Sequence, residues 1–385
     1  MKLLTKLKPL VSNQARKDFF NLVIFYSAYL WFRSISNAVL VPHFYKEGLS
    51  FTQIILGLVF FFIGAILLQL IFKQYSAIKH WRLSIISFYL SILLIINITN
   101  PFQFYLSLAL GGFSLLGFFM LYNIAHFELT PKNHTGFSSA IMFSVGPSIA
   151  LATPLIAGLL AQHSYYYVWI ISGISALIAM FFTSKQKDFT LKYSLKESMS
   201  YLQPTRIFIF LQGVWEALVI AIIPIYTLLF ISTPLKYGIY MAYLSLMSIL
   251  ANLFLGRATD KIQKRSIFLY PLTISLALTT YLFPFTTSSL VLWIIITGLI
   301  KFLLPLFHNI STAFLVDAHP KLRVAIPGRE LLLSVGRLIG ITITLISFLL
   351  QPTPKIIFLF LGTVMLIYPA TLYYRTTISK RYNYL

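Results

Sequence analysis

The stretch Leu255–Ser266, "LGRATDKIQKRS", holds one aspartate, four basic residues and a glycine between two runs with almost nothing polar. A chain that keeps such a knot must otherwise be very apolar, and this one is. Its 385 residues are 58% hydrophobic and 10% charged, whereas soluble domains carry about a quarter charged residues. No soluble fold of this length hides that much apolar surface, but a lipid bilayer does. The sequence has no cysteine, which excludes disulfides, thiolate metal sites and cysteine nucleophiles. The opening MKLLTKLKPLVSNQARK is basic, yet no short apolar core with a small-residue cleavage site follows it. It reads as a retained cytoplasmic tail and not as a signal peptide.

Apolar segments long enough to cross a bilayer as helices fall near 18–43, 50–72, 83–99, 102–126, 136–161, 165–183, 207–232, 236–255, 267–285, 288–316, 327–350 and 356–374. These are twelve, and an even number puts both termini on one side. With the N-terminus cytoplasmic, 23 lysines and arginines fall inside and three outside (Lys46, Lys236, Lys355), with Arg33, Lys301, Arg329 and Arg337 within spans. The positive-inside rule therefore accounts for most of the net charge of +21 through orientation and anionic lipids, without a nucleic-acid partner.

The longest polar interruption, residues 184–206, splits the chain into residues 1–183 with a cytoplasmic tail and residues 207–385, six spans each. Sliding the sequence by 183 lays KQYSAIKHWR, from Lys73, over GRATDKIQKR, from Gly256. Sliding it by 190 lays Ser144-Val145-Gly146 over Ser334-Val335-Gly336. Both matches favour a duplicated six-helix unit.

The knot after the eighth span resembles the signature loop of the major facilitator superfamily, G-x-x-x-D-[RK]-x-G-[RK]-[RK]. Gly256, Asp260, Lys261, Lys264 and Arg265 match, and Gln263 replaces the second glycine. The first-half copy is degraded, with Lys73 at the glycine position and Ala77 at the acid position. The resemblance implies an all-α membrane protein of twelve helices in two pseudo-symmetric six-helix bundles. It further implies that helices one, four, seven and ten line a central cavity, with three, six, nine and twelve facing lipid. The loop itself is expected to gate. Gly256 allows close backbone approach where helix eight turns back, Asp260 accepts from a helix N-terminus or a base, and the cations face lipid headgroups.

Deep charges carry more information. Arg33, Glu216, Lys301 and Arg337 lie about 10–15 residues into their spans, near mid-membrane at ~1.5 Å per residue. Each costs about 2.5–3.5 kcal/mol on insertion scales unless paired or hydrated. The residues leave two readings open: a structural network in which Arg33 pairs with Glu216 across the halves, or a substrate site. After such a pair, Lys301 and Arg337 leave two positive charges in excess, which suits an anionic or zwitterionic solute. In helix ten, Pro305 cannot donate to the carbonyl of Lys301, so a kink is expected there. His308 shares the face of Lys301, and Asn309 adds an amide. Glu216, the only acid deep in a span, is the candidate for proton coupling. Pro327 is expected in the first turn of helix eleven. Glu330 shares the face of Arg337 as part of an inner gate, and Arg329 is expected in a solvated pair at the rim.

These features point to a secondary transporter that moves a small anionic or zwitterionic solute by alternating access, coupled to protons through Glu216. Gly146-Pro147 resembles the glycine-proline of the superfamily's antiporter signature, with Ala150 and Leu151 in place of two further glycines, which implies a weak lean towards export; a lipid flippase or drug exporter of the same fold is the neighbouring alternative. A membrane-embedded transferase would need clustered acids or metal-ligand spacing, and the nine acids are scattered. The expectation is a monomeric, multi-pass protein of a bacterial plasma membrane, with a small-molecule substrate, membrane lipids as neighbours, no cofactor and no metal.

Overall fold

The computed structural model describes residues 13–129, 135–258, 266–350 and 355–375. Among them, ten helices are long and apolar enough to cross a membrane. Most start and stop within a few residues of the expected spans. The segment expected at 50–72 is α3 (Phe51–Ile71), and that expected at 165–183 is α7 (Tyr165–Thr183). The remaining two expected spans correspond to helices outside those ten. One is α1 (Asn13–Asn37), followed by the short α2 (Leu40–Lys46). The break between them has a cause in the sequence, because Pro42 has no N–H for the carbonyl of Ala38. The other is α11 (Pro234–Ala258), which runs two residues past Gly256. Asp260, Lys261, Lys264 and Arg265 lie outside the described residues.

In the first half of the chain, α3 and α4 (Ala77–Ile95) both pack on α5 (Pro101–Leu129), while α1 packs on α6 (Thr135–His163) and α7. The second half opens with α9 (Arg206–Trp215), which packs on α14 (Leu322–Leu350) and α15 (Lys355–Tyr373). In this half too, α13 (Leu290–Ala318) lies against α11 and α12 (Ser266–Leu282). Two long contacts join the halves, α6 with α11 and α3 with α14. The first depends on glycine, since a Cβ on Gly238 would run into the carbonyl of Pro154, and one on Gly158 into that of Pro234.

Two prolines act differently from each other. Pro305 leaves α13 continuous, and the carbonyl of Lys301 that it cannot serve accepts instead from Ser248 Oγ of α11 at 3.0 Å. Pro327 lies inside α14 and not in its first turn, because that helix begins five residues earlier than expected, at Leu322.

The polar segment 184–206 is built into the fold. Its strand β2 (Thr190–Lys192) pairs antiparallel with β1 (Gln74–Ser76), in the loop before α4. Asp188 then caps α4: its carboxylate accepts from the amide of Ile78 at 3.1 Å and from Ser76 Oγ at 3.0 Å. The segment's other end, α8 (Leu195–Tyr201), packs on α14, and the Tyr201 hydroxyl accepts from the amide of Lys321 at 3.2 Å. Next to it, His319 is buried with Nε2 2.8 Å from Thr205 Oγ1.

Two outcomes follow. Asp188→Ala removes the cap from α4 and lowers unfolding stability by about 1 kcal/mol, while Asp188→Asn, which keeps an acceptor, loses less; denaturation of the purified chain in detergent measures both. Burial pushes the His319 imidazole down to about 4, below its unfolded value of about 6.5. The unfolded chain therefore binds the extra proton, and stability present above pH ~6.5 is lost as pH falls through ~4. The thermal midpoint of His319→Gln should fall less steeply over that window than that of the parent chain.

Candidate functional site

The site begins with how closely two helices approach. Gly213 of α9 faces the backbone of α14 at Leu333 and Gly336, and a Cβ on Gly336 would meet the carbonyl of Phe210 at 2.6 Å. With no side chain at this crossing, the residues just beyond it meet. Glu216 follows Gly213 by three positions and Arg337 follows Gly336 by one. Arg337 donates to Glu216 Oε2 from Nε at 2.6 Å, and its terminal nitrogen lies 2.5 Å from the same oxygen. Glu216 Oε1 accepts from His308 Nε2 of α13 at 2.9 Å and from Gln212 Nε2, one turn earlier on α9, at 2.8 Å. Every oxygen of this carboxylate is held, and Glu216 is 3% exposed. That degree of satisfaction makes a mid-membrane carboxylate tolerable, because an unpaired one would carry its full desolvation penalty.

The backbone loosens immediately after Glu216. Residues Leu218–Ile222 form a π-helical turn before the short α10 (Ile223–Tyr226). Pro224 offers no N–H to the carbonyl of Ile220, so the tighter α-helical ladder is interrupted here. Single wide turns of this kind tend to sit at functional positions in helices.

The cluster opens on a cavity of about 300 Å³. Its walls come from both halves: Tyr26, Phe119 and Asn123 on one side, and Glu216, His308 and Arg337 on the other. Tyr26 stacks on Tyr122 at 4.0 Å between ring centroids, giving that wall a rigid aromatic face. A second ion pair lines the same cavity, where Glu330 Oε1 accepts from Arg329 at 2.5 Å and from Asn123 Nδ2 at 3.4 Å. Further along, Arg323 forms a two-pronged bond with Glu128 at 2.6 and 2.9 Å, and Gln69 donates to the Pro327 carbonyl at 2.9 Å. These contacts tie α14 to α3 and α5 at the end of the molecule that bears the basic loops.

Several sequence expectations are redrawn. Arg33 does not pair with Glu216; Arg337 takes that place, so Arg337 is not part of a positive excess. The Arg33 guanidinium instead lies 4.5 Å from the centre of the Phe88 ring and 6.0 Å from that of Phe61, with Nη1 3.5 Å from the Tyr29 hydroxyl. A ring face holds a cation by about 0.5–2 kcal/mol, less than a buried carboxylate does. Lys301 and Asn309 do not line the cavity; Asn309 Nδ2 donates to Asn252 Oδ1 at 3.2 Å. The Arg329–Glu330 pair, expected to be solvated, is largely buried at 16% and 8% side-chain exposure. The sequence reading also missed Gln212 and Asn123. The four-residue spacing in "QGVWE" puts Gln212 on the face of Glu216 and was visible, but nothing local marks Asn123.

A polytopic helical protein with a charged cavity walled by both halves of its chain has the build of a solute transporter. The Major Facilitator Superfamily profile matches residues 22–325, and the chain belongs to that superfamily. Among solved structures, a mutant of the nucleoside transporter NupG is similar with a TM-score of 0.65, covering 92% of this chain and 98% of that one. At 14% identity the likeness is one of fold. No curated protein sequence matches the chain.

If the ion pair holds α9 against α14, breaking one side should hurt more than removing both. Arg337→Gln leaves Glu216 buried with one fewer partner and should lose about 3–5 kcal/mol of stability. The double replacement Glu216→Gln with Arg337→Gln should recover more than half of that loss in a double-mutant cycle followed by thermal unfolding.

Proposed function

We propose that the chain is a secondary active transporter of the plasma membrane, with twelve spans in two six-helix bundles (residues 1–183 and 207–385, joined by 184–206) and both termini cytoplasmic. It moves a small anionic or zwitterionic solute by alternating access around the central cavity. The observation that carries this reading is the Glu216–Arg337–His308 cluster on a cavity walled by both halves. Charge so deep is retained where it meets solute or coupling ion. The ties at the basic end, Arg323–Glu128 and Asn123–Glu330, suit a gate, since each joins the two halves and each is made of exchangeable polar contacts.

Glu216 is the coupling residue in this scheme. A proton taken up on its carboxyl weakens its hold on Arg337, frees α9 from α14 at the crossing, and so links protonation to a change in how the helices pack. The two ion pairs that line the cavity are each internally neutral. The cavity therefore suits the uncharged or zwitterionic body of a solute, and its aromatic wall suits a flat ring. NupG transports nucleosides, and a ring-bearing polar solute falls within the same chemical range.

Uptake and counterflow in proteoliposomes, with carboxylates, phosphates, zwitterions and nucleosides as candidates and with and without a pH gradient, test the reading. Saturable exchange of at least one class is expected. Glu216→Gln should keep counterflow and lose at least tenfold of the gradient-driven accumulation. Equal accumulation by that variant removes Glu216 from coupling, and no exchange of any candidate removes the transport reading.

A further inference from the structure

Of the four deep charges, Arg33 and Lys301 stand outside the central cluster, and Arg33 is the one held on ring faces. It is 7% exposed and sits in α1 among side chains that are committed elsewhere: Ser36 to Ser172, Ser34 to Thr153, and Ser114 to the carbonyl of Ser84. A guanidinium carries several N–H donors in a fixed fork and cannot lose its charge. Here one donor reaches the Tyr29 oxygen at 3.5 Å, and two ring faces receive the rest of the group. No carboxylate is bonded to it among the described residues. An arginine in that state is held in place without being neutralised.

Its position relates it to the cavity. Arg33 follows Tyr26, which lines the cavity, by seven residues, so both lie on one face of α1 about 10 Å apart along the axis. The rings between it and the cluster are consecutive. Phe61 takes Arg33 at 6.0 Å, Phe62 takes Arg337 at 5.9 Å, and the two rings meet at 5.1 Å. One pair of phenylalanines on α3 thus separates a neutralised arginine from an unneutralised one.

We propose that Arg33 captures the oxyanion of the transported solute, a carboxylate or phosphate group, on the side of the Phe61–Phe62 pair away from the central cavity. The proposal rests on the transport reading and deepens it by assigning the negative group and the body of the solute to different places. A planar fork with free donors matches two oxygens of such a group, and the ring faces of Phe88 and Phe61 release the guanidinium more readily than an acid would. The cavity needs no excess charge of its own, because the anionic end of the solute is balanced at Arg33.

The test uses the purified full chain in phosphatidylcholine nanodiscs, with apparent dissociation constants for acetate and inorganic phosphate taken from thermal unfolding at matched ionic strength in chloride. At least one of the two should stabilise the parent chain saturably. Arg33→Gln should weaken that binding at least tenfold, and Arg33→Lys, which keeps the charge without the fork, should fall between the two. Phe88→Leu removes the resting partner and should tighten binding by about threefold. Should Arg33→Gln fail to fold, the opposite directions expected of Arg33→Lys and Phe88→Leu carry the test. The proposal is overturned by no response of the parent chain to either anion, by equal affinity in Arg33→Gln, or by weaker binding in Phe88→Leu. The transport reading fails separately, through absent counterflow, since the binding measurement needs no transport.

Discussion

The constraint on which the structure turns is the buried contact between Glu216 and Arg337. A carboxylate in mid-membrane is tolerable only if its oxygens are taken, and four nitrogens of three residues do so: two from Arg337 of α14, one from His308 of α13 and one from Gln212 on α9 itself. Such short contacts need α9 and α14 nearly backbone to backbone, which Gly213 and Gly336 permit. The glycines and the ion pair therefore presuppose each other. Side chains at the crossing would separate the charges, and without the charges nothing polar would hold an apolar crossing in one register. The π-helical turn Leu218–Ile222 puts irregular backbone directly beside Glu216.

The buried arginines among the described residues are of two kinds. Around the cavity, positive and negative groups come in pairs, Glu216 with Arg337 and Glu330 with Arg329, so the space they enclose is polar and close to neutral. Arg33 stands apart, held on aromatic faces. Helix α3 touches both kinds through neighbouring rings, and it is also the helix that Gln69 ties to α14. A movement of α3 against α14 would alter the surroundings of both arginines at once. In the proposed transport scheme this movement links the deep charges to the gate.

Much of the fold was legible because bilayer thickness leaves a direct mark on sequence: apolar runs of the right length and cations gathered on one side. The effect of each proline was not legible, because it depends on where the helix around it begins and on what serves the freed carbonyl. Pro42 cuts the first expected span in two, and Pro327 lies inside a helix that starts early. The candidate site was half legible. Deep charges announce themselves individually, but their pairing is a tertiary fact. The sequence pointed to Arg33 as the partner of Glu216, and Arg337 takes that place because of Gly213 and Gly336, whose meaning appears only when two helices cross. Asn123 could not have been found, because a single amide in an apolar run carries no sign of what it will face.

In the degraded first-half copy of the signature loop, the carboxylate beside the start of α4 comes from elsewhere in the chain. At the position where the first-half copy should hold an acid stands Ala77, whose amide donates to the Phe189 carbonyl at 2.9 Å. The missing carboxylate is present all the same, contributed by Asp188 from the segment between the halves and bonded to the start of α4. An acid in the loop would act on whatever helix passes by. An acid in the segment 184–206 instead fastens that segment to the first half, while Tyr201 and α8 fasten its other end to α14. The polar interruption that joins the halves is thereby bonded at both of its ends, to the first half through Asp188 and to the second through Tyr201 and α8.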